Sequence, residues 1–335
     1  MKVPAKIQIT IWSLGLAGAA LFTVLLIRQG LPQVSAALAT AGWGIVAVAV
    51  FHLIPIFLDT MSWWVLFPRA ERPSLLNLFW MRTIGESVSN LVPSAMIGGD
   101  IVRARLAAIS GTPVAQCVST VIVDVTVGIV AQIIFTLAGL LLLVVVTGRT
   151  SFVLPTVTGI VISVAAVAGF YFAQRQGIFR FLGQLITRLV RSEAWSSLVQ
   201  SGERLDQSVH TVYARRRSIL ACLGWTLTSL VVSSTEMWIA LHALGANASF
   251  ANAFIFQSMA MTIRSGAFAV PGQLGVQEGG YLIVGSLLHI PGDTAFAISL
   301  IARFRDLVIG IPGVISWQLI EARRLLRARL AANAR

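Results

Sequence analysis

Two stretches of this sequence gather residue types that can hold a charged group. SNLVPSAMIGGDIVRAR spans 89–105 and AFAVPGQLGVQEGGY spans 267–281. In each, an apolar run reaches a proline, Pro93 or Pro271, and a glycine follows within five residues. An acid then stands seven residues past the proline, Asp100 or Glu278. Upstream, Arg82 lies eleven residues before Pro93 and Arg264 seven before Pro271, about three and two helical turns, so each arginine can share a face with its proline. Gly98-Gly99, just ahead of Asp100, permits close backbone approach and a helix start that favours anions. No nucleophile–base pair appears, and His52, His210, His242 and His289 fit no metal-ligand spacing. Neither metal nor cofactor is expected, and an enzyme is the least favoured class, with catalysis by a membrane-embedded Asp or Glu left open. Gly275-x-x-x-Gly279 is no nucleotide loop, because no strand precedes it and no Gly-Lys-Ser/Thr follows. Cys117 and Cys222 fall in apolar spans and read as small apolar thiols.

The elements that carry these residues belong to a membrane. Of 335 residues, 56% are hydrophobic and only 11% are charged, against about a quarter charged in soluble domains. Mean hydropathy is +0.84. The net charge of +12 would suggest nucleic acid in a soluble chain. Here the arginines flank apolar runs, which points to topology and lipid contact instead. Six runs read as full crossings: 7–27, 42–67, 113–148, 152–173, 218–243 and 294–320. The first is longer than the apolar core of a secretory signal and reads as a retained span. Stretches 75–110 and 250–290 are interrupted by Pro, Gly and charge, and each reads as a re-entrant helical hairpin. With the N-terminus cytoplasmic, seventeen Lys and Arg fall in cytoplasmic segments and two, Arg28 and Arg149, fall outside. Both termini are then cytoplasmic. Segment 174–217 reads as a cytoplasmic amphipathic segment, with Ile178, Phe181, Leu182, Leu185, Ile186 and Leu189 at helical spacing and a solvated loop as the alternative.

The two hairpins also look like copies. Gly111-Thr112-Pro113 opens the span after the first, and Ile290-Pro291 opens the span after the second. Asp124 precedes Gly128 by four residues, and Asp306 precedes Gly310 by four. Three crossings lie between the hairpins, so the second copy (250–320) would be inverted relative to the first (75–148). The chain is one polytopic domain, with 1–67 supplying two N-terminal spans. Inverted repeats with paired broken helices are the layout of many secondary transporters, whose site lies where the copies meet.

Thirteen ionisable residues fall inside apolar stretches: Arg82, Arg103, Arg105, Arg264, Arg303 and Arg305 with Asp59, Glu86, Asp100, Asp124, Glu236, Glu278 and Asp306. At about 3 kcal/mol each in lipid, together they exceed a typical whole-protein stability of about 5–15 kcal/mol. They must pair, snorkel or line water. Arg303 and Asp306, three apart, are candidates for a local pair. Arg103 and Arg105 have snorkelling at the cytoplasmic end as a separate reading. Glu236 has nearby Ser and Thr that either satisfy it structurally or line a cavity with it. The candidate binding set is Arg82, Glu86, Asn90, Pro93, Gly98, Gly99, Asp100, Arg264, Pro271, Gly272, Gly275 and Glu278. Asp124, Glu236, Arg303, Arg305 and Asp306 form a coupling or structural charge network. Structural pairing alone and a substrate or ion site both remain open for these groups.

MRTIGESVSNLVPSAMIGGDIVRAR (81–105) and VPGQLGVQEGG (270–280) resemble the signature stretches of the lysylphosphatidylglycerol synthase/flippase membrane domain, also called flippase-like or uncharacterised membrane protein family 0104. The GESVSNLVP…IGGD form is most similar to the branch associated with hopanoid biosynthesis. The resemblance covers about residues 7–320. It implies a bacterial inner-membrane protein that moves lipid, or a lipid-linked group, between leaflets. Bifunctional relatives carry a following cytoplasmic aminoacyl-transferring domain. This sequence stops at Arg335, so lysyl-lipid synthesis by it alone is not expected. The leading expectation is a lipid translocase whose partner is a membrane lipid with an anionic or hopanoid-type head group. The alternatives are a secondary transporter of a small organic anion and a membrane subunit that recruits lipid-biosynthesis enzymes. Nucleic acid is not an expected partner, and nothing here fixes the oligomeric state.

Overall fold

Helix is the only secondary structure with more than a turn's length in the computed structural model, which describes residues 31–92, 97–148, 153–175, 196–266 and 273–333, with Val24, Ile27 and Val270. Among the described residues there is no strand. In a bilayer each backbone polar group must be satisfied within the protein, and a helix does this internally. The first elements are α1 (Leu31–Ala41), α2 (Gly44–Phe51) and α3 (Leu53–Trp64). The last two form one apolar run, Gly44–Trp64, broken by a turn at His52. Pro55 lacks the N–H that would bond the Phe51 carbonyl, which accounts for the break. After a 3-10 turn at Arg69–Glu71 come α4 (Leu75–Leu91) and α5 (Ile97–Ile109). The long α6 (Val114–Thr147) follows, then α7 (Val153–Arg175), α8 (Ser196–Ala214) and α9 (Arg216–Ala243). The chain closes with α10 (Phe250–Gly266), α11 (Val276–Leu287) and α12 (Gly292–Asn333).

Among the described residues, three helical runs are long and apolar enough to cross a membrane: Gly44–Trp64, α6 and α9. At 34 residues, α6 extends about 50 Å, more than the ~30 Å hydrocarbon layer. Its exposed Ile134, Leu137, Leu141 and Val145 recur at helical spacing and form a lipid-facing stripe. Nearer its N-terminus α6 is packed inside the protein and buries Val123, Val127, Ala131 and Phe135. The expected crossing at 152–173 is helix α7, with a shorter apolar stretch at Val157–Gly169. The one at 294–320 lies in α12, where Arg303, Arg305 and Asp306 interrupt the apolar run. Apart from Val24 and Ile27, the crossing at 7–27 lies outside the described residues, as does the amphipathic run 178–189. The rest of segment 174–217 includes α8, a helix with one face packed and Glu203, Arg204 and Gln207 exposed on the other. Its Val209 and Val212 are buried with Leu66, Val123 and Cys222, and Tyr213 donates to Gln174 Oε1 at 2.8 Å.

The helices around the interruptions form two pairs, α4 with α5 and α10 with α11. Close approach within α4–α5 depends on Gly85 and Gly99: a Cβ on Gly99 would overlap the Gly85 carbonyl oxygen and Ser89 Oγ. In α10–α11, Gly280 lies under Ile263, and Phe256 meets Tyr281 edge to face at 5.2 Å. Each following helix packs on the other pair. Gly139 of α6 meets Ser258 of α10, while Gly310 and Gly313 of α12 meet Leu91 and Ser87 of α4. Two buried apolar clusters mirror this exchange: Leu140 and Leu143 of α6 join α10 and α11, and Val314 and Trp317 of α12 join α4 and α5.

Candidate functional site: a charged cavity between two helix pairs

Apart from Arg105, the embedded charges fall into three groups. In the first, Asp124 of α6 is buried and its Oδ2 accepts from Arg82 of α4 and Arg103 of α5, each at 2.7 Å. Ser62 Oγ donates to Asp124 Oδ1 at 3.0 Å. Arg103 also grips Asp100 at 2.7 Å and lies over the Trp63 ring at 4.9 Å. Arg82 reaches Asp59 of α3 at 3.6 Å. Each guanidinium thus answers carboxylates from two elements, as a buried charge requires.

The second group centres on Glu236 of α9. One oxygen accepts from Arg305 of α12 and the other lies 2.7 Å from His52 Nδ1. His52 Nε2 is 2.8 Å from Glu86 Oε1 on α4, so a single imidazole bridges α4 and α9. Arg305 also donates to Asp306 Oδ1 at 2.8 Å. Asp306 Oδ2 lies 4.0 Å from Arg264 of α10, whose Nε donates to Gln273 at 2.8 Å. The third group is apart: fully buried Glu278 accepts from Arg303 Nε at 2.6 Å and from the Gly275 N–H at 2.7 Å. That reach-back caps α11, whose Gly275 has φ +76°, open only to glycine without strain.

The first two groups enclose one polar cavity of about 290 Å³. Both helix pairs contribute, with Arg82, Glu86, Asn90, Gly99, Asp100 and Arg103 from α4–α5 and Gln257, Met261 and Arg264 from α10. His52 and Asp59, Ser229 and Ser233, and Arg305 complete the wall from α2–α3, α9 and α12. Asp124, Glu236 and Asp306 sit behind it as anchors for its arginines. A larger cavity of about 1070 Å³ between α6, α7, α8 and α9 is lined mainly by Val, Ile, Leu and Tyr, with Arg216 and His210 its ionisable groups. The polar one is the candidate site, because mostly apolar membrane helices converge charge on it.

Several expectations change at this level. Arg303 and Asp306 do not form the local i,i+3 pair, since Arg303 turns to Glu278 and Asp306 takes Arg305. Arg103 does not snorkel: it is buried on Asp124 and Asp100. Arg105 is 53% exposed and forms a bidentate pair with Glu321. Of the serines near Glu236, Ser229 and Ser233 line the cavity, while His52 and Arg305 satisfy its carboxylate. Glu278 and Gly275 belong to the α11 cap, and neither they nor Gly98 lines the cavity. Pro93, Pro271 and Gly272 lie outside the described residues. Sequence reasoning missed His52 as a site residue and left Asp59 out of the site. A signal was present, for the two stand seven residues apart on one face of an apolar run.

A multi-pass, all-α integral membrane protein with a charge-lined internal cavity is the class that fold and site define. The model of the lysylphosphatidylglycerol synthase transmembrane region matches residues 11–313, and the chain belongs to that family. No curated protein and no solved structure matches it.

Proposed function

We propose that this protein is a lipid translocase of the bacterial inner membrane, carrying the anionic or hopanoid-type head group of a lipid through the charged cavity while the tail stays in the bilayer. The observation that carries this reading is that both helix pairs present guanidinium groups to one cavity. Each of Arg82 and Arg264 has one long contact that can yield: 3.6 Å from Arg82 to Asp59, beside its 2.7 Å bond to Asp124, and 4.0 Å from Arg264 to Asp306. A phosphate can enter between them without breaking a short buried bond. Asp59, Glu86 and Asp100 on the same wall can accept from head-group hydroxyls.

The reading takes the two pairs as re-entrant hairpins of an inverted repeat within six crossings, with both termini cytoplasmic. Arg82 with Asp124 and Arg264 with Asp306 are both 42 residues apart and meet across equivalent helices, which supports the repeat. The reciprocal packing of α6 on α10 and of α12 on α4 supports it as well. Opposed motion of the copies would open the cavity alternately to each leaflet.

The test is lipid movement in proteoliposomes holding only this protein, followed by quencher access to fluorescent phosphatidylglycerol, phosphatidylcholine and hopanoid lipids. Wild type should outpace empty vesicles. Arg264→Ala should lose about 10- to 100-fold in rate, the equivalent of one charge-assisted hydrogen bond. No movement of any of these lipids by folded protein would refute translocation and favour small-anion transport or a partner-recruiting subunit.

A further inference from the structure

We infer that Glu86, His52 and Glu236 form a proton-binding site that couples one proton to head-group passage. The proton site rests on geometry, and its role rests on the translocase reading above. His52 Nδ1 is 2.7 Å from Glu236 and Nε2 is 2.8 Å from Glu86. Each of these nitrogen–oxygen contacts needs a proton between its atoms. A neutral imidazole has one N–H, and two ionised carboxylates have none. The bridge therefore holds one proton beyond that set, as an imidazolium between two carboxylates or as a neutral imidazole accepting from a carboxylic acid. In both forms that proton can dissociate.

The surroundings give the proton a way out. Glu236 is 7% exposed and its other oxygen is held by Arg305, whereas Glu86 is 28% exposed and lines the cavity. Loss of H⁺ to cavity water leaves the Nδ1–H on Glu236 and a bare Nε2 lone pair facing the Glu86 carboxylate. Two acceptors in contact repel, so Glu86 turns into the cavity and α4 is released from α9. The charged groups around this bridge are Asp59 on its own helix run, Arg82 on α4, Asp100 and Arg103 on α5, Glu236 on α9, Arg264 on α10, and Arg305 with Asp306 on α12. The freed carboxylate adds negative charge to the wall that receives the head group. A proton on the bridge and an anion in the cavity thus favour one another, and the two should travel together.

Two readouts separate the site from its role. The first is ¹⁵N NMR of the protein labelled at its four histidines, in nanodiscs at neutral pH, with His52→Gln identifying the signal. The second is lipid movement in the proteoliposomes above under a gradient of one pH unit. We expect both ring nitrogens of His52 to be protonated or hydrogen-bonded to acid, in a signal that His52→Gln removes. A one-unit gradient should support a leaflet ratio of about tenfold at one proton per lipid. Glu86→Gln, which can donate to a neutral imidazole and hold the bridge without the titrating proton, should lose that response. A His52 signal of an ordinary neutral tautomer with a free nitrogen would overturn the site while leaving translocation standing. Lipid movement indifferent to the gradient would overturn the coupling. A protonated bridge in a protein that moves no lipid would overturn the coupling and the translocase reading together.

Discussion

Replacing Asp124 by Asn should destabilise the protein more than any other single change to the charge network of the first helix pair. The carboxylate is buried and takes two guanidinium N–H bonds at 2.7 Å on one oxygen. Asn preserves volume and can keep the Ser62 hydrogen bond, but it removes the charge that faces Arg82 and Arg103. Breaking a buried ion pair by removing one partner costs about 3–5 kcal/mol. Asp100 and Asp59 remain near the two arginines, which puts the expected loss at the lower end, about 3 kcal/mol. The assay is built into the molecule. Cys117 and Cys222 are free and buried, so a thiol-reactive dye labels the folded protein slowly and the unfolded protein fast. At about 2 °C per kcal/mol for a chain of this length, the labelling midpoint should fall by roughly 6 °C. Arg103→Met combined with Asp124→Asn should cost less than the sum of the two single changes, because each single change already breaks the same contact. An unchanged midpoint for Asp124→Asn, or strict additivity in that cycle, would refute the pairing argument.

Other outcomes follow from the same geometry. Glu321→Gln breaks a pair that is largely exposed, so the midpoint should move by under about 1 kcal/mol equivalent. The hydrogen bond from Arg105 holds the Glu321 carboxyl below its usual range, so the small stabilisation present at neutral pH should disappear as pH falls below about 4, seen as convergence of the wild-type and Glu321→Gln midpoints. Gly99→Ala places a methyl against the Gly85 carbonyl and Ser89, and should cost about 1–3 kcal/mol by dye labelling. Gly128→Ala meets nothing within 4 Å and should be neutral or stabilising by up to about 1 kcal/mol. Glu278→Gln, which loosens the α11 cap and leaves Arg303 without its carboxylate, should lower the midpoint rather than act through the cavity.

What could be read from the sequence follows the range of the interactions. The uninterrupted apolar runs of α6 and α9 identify themselves as spans, because length and hydropathy are local properties. The small residues and charges of 75–110 and 250–290 indicate broken helices for the same reason. The partners of the charges are a different matter. Asp124 faces arginines 42 and 21 residues away, and His52 faces acids 34 and 184 residues away. Helical periodicity assigns a face to each of these groups, yet the face opposite is chosen by tertiary packing. Local spacing therefore suggested Arg303 with Asp306, while the fold gave Arg303 to Glu278 across α11 and α12. Arg103 looked like an end-of-helix cation and proved to be an interior one, because Asp124 comes into reach only when α6 packs on α5.

The bridge at Glu236 has a consequence for the order in which the chain enters the bilayer. Asp124 meets both of its arginines, Arg82 and Arg103, and the Ser62 hydroxyl in the part of the chain made before it. Glu236 does not. Its arginine, Arg305, is 69 residues further on, and ribosomes add about 5–20 residues per second. For several seconds of synthesis, α9 brings a carboxylate into the membrane with its strongest counter-charge still unmade. His52 and its proton are already there to receive it. The same imidazole that joins two helices in the finished protein would then serve the nascent chain as a placeholder cation, letting a charged helix insert before its permanent partner exists.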